Sequence, residues 1–110
     1  MIGASIAADG PGRFRVSGVL DYASVGPLEA ASRSVLAAAP EAVVDLAGVE
    51  RANSAALALL LEWLDQAQRA NRRLRFAGIP RSVLEIAEVS NVTRLLPVEA
   101  AAPERGPAAA

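Results

Sequence analysis

Val43-Val44-Asp45-Leu46-Ala47-Gly48-Val49-Glu50-Arg51-Ala52-Asn53-Ser54-Ala55-Ala56-Leu57 is the most informative run in the chain. Its beginning, Ala42 to Leu46, is short, apolar and β-branched, the composition of a strand buried in the middle of a sheet. A loop is expected from Ala47 to Ala52. The longest helix follows, from about Ser54 to Ala70, with Leu57, Leu60, Leu61, Leu64 and Ala67 as its core stripe. Asn71 suits the cap that ends it.

Outward from this run, the same logic assigns the rest. Ser5 to Ala8 reads as an edge strand, and Asp9-Gly10-Pro11-Gly12 as a turn. Arg13 to Leu20 alternates, with Phe14, Val16 and Gly18 on one side, which is the period of a half-buried strand. A helix is expected to begin between Ser24 and Pro27, with Pro27 in its first position. Its apolar stripe would be Leu28, Ala31, Val35 and Ala39, and Pro40 ends it. Beyond the long helix, Arg73 to Ala77 is a further strand and Arg81 to Val89 a shorter helix with Val83, Ile86 and Ala87 inward. Leu95, Leu96 and Val98 are expected to pack once more. The order β-β-α-β-α-β-α contains two crossovers, which imply parallel strands joined with right-handed connections. The fold class is therefore α/β, a mixed sheet with helices packed mainly on one face. One domain, residues 1–98, is expected. Residues 99–110, rich in alanine and proline, form a tail expected to be disordered.

Composition narrows the chemistry. The chain has 110 residues, a formal net charge of −1, no histidine and no cysteine, and all 11 of its basic residues are arginine. Ser-His-Asp and Cys-His nucleophiles, the usual zinc sites, a Walker lysine and Schiff-base chemistry are all excluded. Asp21, Asp45 and Glu50 stand at no catalytic spacing, so a non-enzymatic protein without cofactor or metal is expected. Phosphate-directed binding usually demands a basic excess, so nucleic acid is not an expected partner. Arg69, Arg72, Arg73 and Arg75 complement a helix C-terminus and line a solvated strand face. Met1 to Gly10 lacks the pattern of a secretory signal, and the longest apolar run, Ala55 to Leu61, is too short to span a bilayer. A cytoplasmic location is expected.

The head of the long helix is the candidate site. Asn53 and Ser54 are good N-caps, placed where unpaired N–H groups and the positive end of the helix dipole favour an acceptor. At about 100° per residue, Leu59 lies nearly opposite Leu57, with Ala55 and Ala56 beside it and Trp63 between them and the core. The first two turns are thus apolar all round. A partner protein is expected to cover them, with Asn53, Ser54, Ala55, Ala56, Leu59 and Trp63 as the binding residues.

The Val-Val-Asp-Leu strand, the small hydroxyl residue before a leucine-rich helix, Gly18-Val19-Leu20-Asp21, and Val89-Ser90-Asn91-Val92-Thr93-Arg94-Leu95-Leu96-Pro97 together resemble the STAS domain family, over roughly Arg13 to Val98. Two branches of that family compete. In anti-sigma factor antagonists the loop reads Asp-Ser, then a small residue and Gly, and a partner kinase phosphorylates the serine. Here Asn53 replaces the Asp, Ala55 and Ala56 replace the residues after the serine, and Ser54 remains as a possible phosphorylation site. The other branch is the small STAS subunit of the Mla phospholipid-transport ABC system, which Ala56-Leu57-Ala58-Leu59-Leu60-Leu61 and Ile86-Ala87-Glu88-Val89-Ser90 resemble more closely. That resemblance implies a cytoplasmic accessory subunit that binds the transporter's ATPase and meets the membrane only through the complex. The alternative partner is an anti-sigma factor kinase.

Overall fold

Alternation along Arg13–Leu20 buries Phe14, Val16 and Leu20 and leaves Arg15 exposed. The same rhythm buries Ala42, Val44 and Leu46 on the next strand and Leu74 and Phe76 on the last. These residues form the sheet's inner face. The computed structural model, which describes residues 3–99, assembles them into a sheet in the order β1-β2-β3-β4. The elements are β1 (Ala4–Ala8), β2 (Arg13–Leu20), α1 (Val25–Ala37), β3 (Glu41–Ala52), α2 (Ser54–Arg69), β4 (Arg73–Ala77), α3 (Arg81–Val89) and a final 3-10 turn, Thr93–Leu95. β1 pairs antiparallel with β2, while β2, β3 and β4 run parallel. Phe14, Val44 and Phe76 stand in one row across three strands, at 7%, 0% and 0% exposure. The helices cover this apolar face. The opposite face carries Arg13, Arg15, Arg73 and Arg75.

Several expectations are corrected. The loop expected from Ala47 to Ala52 is strand: β3 continues to Ala52 and stays paired with β2. Two register shifts place extra residues in β3, opposite Arg15/Ser17 and Gly18/Val19. Such bulges break strict alternation, so the pattern resembles a loop. Gly18 occupies the same irregular stretch with φ +100, and a Cβ there would lie 2.1 Å from the Gly3 carbonyl oxygen.

In α1, the buried stripe is Leu28, Ser32 and Leu36, not Leu28, Ala31, Val35 and Ala39; Val35 is exposed and Ala39 half-buried. Pro27 is the third helical residue, where its missing N–H is equally harmless because no intrahelical acceptor awaits it. Leu96 packs as expected, but Leu95 and Val98 are exposed. Val98 bridges Phe76 alongside β4, and the Glu99 N–H donates to the Phe76 carbonyl. Glu99 also pairs with Arg13 at 2.8 Å. The rest of the expected tail lies outside the described residues.

The helix ends follow the sequence closely. Asn71 takes φ +56 after α2, with Arg72 N–H donating to the Ala67 carbonyl and Asn71 N–H to that of Gln68. Asn91, at φ +60, repeats this arrangement after α3 through Val92 to Ala87 and Asn91 to Glu88. Both are Schellman caps, with asparagine tolerating the left-handed conformation in place of glycine.

Candidate protein-docking site

Because β2 and β3 are adjacent and parallel, the segments that follow them emerge at the same end of the sheet. After β2 comes Asp21-Tyr22-Ala23-Ser24. The Asp21 carboxylate accepts the N–H groups of Ala23 and Ser24 at 3.0 Å each, and the Asp21 N–H donates to Ser24 Oγ at 3.0 Å. Ser24 Oγ in turn donates to the Val19 carbonyl at 2.6 Å. This reciprocal set fixes the turn and leaves Tyr22 standing 75% exposed.

After β3 comes Asn53. Its N–H donates to the Leu20 carbonyl, tying it to the end of β2, and its Oδ1 accepts the Ala55 N–H at 2.8 Å. Asn53 is thus the N-cap of α2, as its residue type suggests. Ser54, the first helical residue, is exposed. Its Oγ lies 2.5 Å from the Tyr22 hydroxyl, joining residues 32 positions apart in the sequence.

The apolar surround of α2 is filled from within the chain. Ala55, Ala56, Leu59 and Trp63 are 3%, 1%, 4% and 1% exposed. The expectation that a partner must cover them is corrected. α2 is the middle helix of its layer, flanked by α1 and α3 and backed by the sheet, so it is buried on three sides. Trp63 shows the fit: its indole N–H donates to Ser32 Oγ of α1 at 2.8 Å, with both residues fully enclosed.

What reaches the surface is a ridge of Ser54, Ala58 and Glu62, spaced four apart along α2. Beside it runs an open groove of about 390 Å³, lined by Tyr22, Val25, Gly26, Glu29, Ala55, Ala58, Leu59 and Glu62. Of the six expected binding residues, Ser54 is exposed, Ala55 and Leu59 form part of the groove's floor, and Asn53, Ala56 and Trp63 support it. At the groove's end, Glu29 is held below the usual carboxylate pKa by hydrogen bonds from Arg33 and then Gln66. Tyr22 escaped the sequence reading. Its signal was topological: it follows the strand that neighbours the one leading to Ser54. Among the described residues, no group of acidic side chains could hold a metal ion, and no helix is long and apolar enough to cross a membrane.

The family model described as "Mlab, STAS domain" matches residues 6–97. The chain belongs to the STAS domain family. Its fold is shared with solved STAS-fold structures. The anti-sigma factor antagonist SpoIIAA in its unphosphorylated form is 14% identical, with 90% of this chain and 89% of that one covered and a TM-score of 0.64. An anti-sigma factor antagonist from Mycobacterium paratuberculosis is 19% identical, with 92% and 89% covered and a TM-score of 0.68. At these identities the likeness is one of fold. Comparison with curated proteins gives no match. STAS domains generally mediate protein–protein interaction, and the exposed Tyr22–Ser54 pair beside an apolar groove is a surface suited to that role.

Proposed function

We propose that this chain is a non-enzymatic cytoplasmic subunit that binds and supports the ATPase of an ABC phospholipid transporter, in the system that maintains outer-membrane lipid asymmetry. The observation that carries the reading is the Tyr22–Ser54 hydroxyl pair set beside the open Ala58 groove. A large aromatic fixed by a hydrogen bond loses little freedom on binding, and tyrosine is enriched among residues that dominate interface energy. The description of the matching family supports the Mla branch. Asn53, Ala56 and Trp63 keep the surface rigid, Ala55 and Leu59 floor the groove, and Tyr22, Ser54 and Ala58 meet the partner. Contact with the inner membrane is indirect, through the complex. Copurification of the ATPase subunit with the wild-type chain and with Ser54→Arg tests this: the wild type retains the ATPase and the variant loses it. Equal recovery with both would remove Ser54 from the interface.

A second reading has its own support. The Ser54 hydroxyl is exposed at a helix N-terminus, where a phosphate is favoured by the dipole, and Arg51 lines the hollow beside Asn53. The solved structures of similar fold are anti-sigma factor antagonists. Phosphorylation of Ser54 would break the bond to Tyr22 and place negative charge on the docking ridge, ejecting a partner. In this reading the partner is an anti-sigma factor kinase. Intact-mass analysis after incubation with that kinase and ATP decides it, because a chain left unmodified is not its substrate.

A further inference from the structure

The groove beside Ser54 has a polar end as well as an apolar floor. Ala58 is the small exposed residue over which the floor opens, and Tyr22 and Val25 wall one side. Glu29 of α1 and Glu62 of α2 close the far end. Gln66 joins the two, donating to Glu29 at 2.6 Å and to Glu62 at 3.0 Å, so both carboxylates are fixed across the seam between the helices. Arg33 takes up Glu29 at 2.6 Å, and Glu62 has no ion-pair partner among the described residues. Two carboxylates against one guanidinium leave one negative charge in excess, at the exposed end of an apolar trough.

Ala58 and Glu62 are one helical turn apart, about 6 Å along the axis. A partner helix running along the ridge repeats that spacing, so its side chains four positions apart meet both features. We infer that the groove receives a partner protein's helix bearing an apolar side chain and, one turn away, an arginine or lysine. The apolar side chain covers Ala58 and packs against the Tyr22 ring, and the cation meets Glu62. A charge-assisted bond to a carboxylate at the rim sets register and accelerates encounter more than it adds affinity. This inference rests on the docking function proposed above and names the chemistry of the partner's contact.

Binding of the ATPase subunit, followed by stopped-flow mixing at low and high salt, tests it with wild type, Ser54→Arg, Glu62→Gln and Glu62→Arg. Glu62 is exposed, and an unchanged urea midpoint for each variant keeps folding out of the comparison. We expect Glu62→Arg to slow association about tenfold at low salt, Glu62→Gln to slow it less, and both to flatten the salt dependence. If Ser54→Arg abolishes binding while Glu62→Arg associates as fast as wild type, the cationic contact is wrong and the docking surface stands. If Ser54→Arg also binds normally, the docking surface itself is wrong, and this inference falls with it.

Discussion

Ser32 is fully buried in a helix whose apolar residues alone suggested a different inward face. Its hydroxyl donates to the Glu29 carbonyl at 2.9 Å and accepts the Trp63 indole N–H, so neither polar group is left unpaired. A pattern read from apolar residues cannot find this, because the inward stripe includes a serine satisfied by its own helix backbone and by a tryptophan 31 positions away. Ser32→Ala would strand the indole N–H in a dry site. The expected cost is about 1–3 kcal/mol, read as a lower urea midpoint. Asn53 shows the opposite case: its capping role was legible because an N-cap is a local matter of residue type and position. Glu29 adds a pH dependence. Its folded-state pKa lies below the ordinary value of 4.5, chiefly through the Arg33 hydrogen bond. A lowered carboxylate pKa contributes stability that is present above the unfolded value and lost as pH falls through the folded one. Glu29→Gln is expected to flatten the decline in stability below about pH 4.5, measured by denaturation across an acid series. A decline as steep as that of wild type would show that the Arg33 contact does not persist in solution.

Among the elements, the four strands and three α-helices are legible in type and order, because turn residues and proline separate them even where the apolar period is imperfect. The boundaries failed where local irregularity intervened. β3 was cut short at Leu46 because its bulges disrupt the alternation that marks a strand, and only pairing with β2 reveals its full length. The first two turns of α2 read as apolar all round, but the cover comes from α1 and α3 rather than from another molecule. Position within a layer is a tertiary fact that one helix's sequence does not contain. One consequence concerns Leu59: at 4% exposure, Leu59→Asp buries a carboxylate and disturbs folding, so it cannot isolate docking. The stretch of β2 opposite the bulges carries its own prediction. Gly18→Ala would force a Cβ toward the Gly3 carbonyl at a positive φ, costing about 1–3 kcal/mol by thermal denaturation. Wild-type stability in that variant would mean that β1 does not pack there as described.

At the scale of the whole molecule, the two faces of the sheet differ in kind. The inner face is the core. The outer face carries Arg13, Arg15, Arg73 and Arg75, accompanied by Glu99, Asp9 and Glu41 in ion pairs and by Asp45. Positive and negative groups balance there, so the face lacks the excess charge with which phosphate backbones are gathered. The asymmetry that points to a partner lies at the end of the sheet, where two parallel strands deliver Tyr22 and Ser54 to one another. Ser54 is legible from its position at a helix start, whereas Tyr22 is not, because their meeting depends on strand order. Hydrogen–deuterium exchange of the chain with and without the ATPase subunit tests that surface most directly. The account predicts that added ATPase slows exchange in Asp21–Gly26 and Asn53–Ala58, the two segments that carry the docking surface. Protection confined to the outer sheet face, around Arg13, Val43 and Arg75, would contradict it.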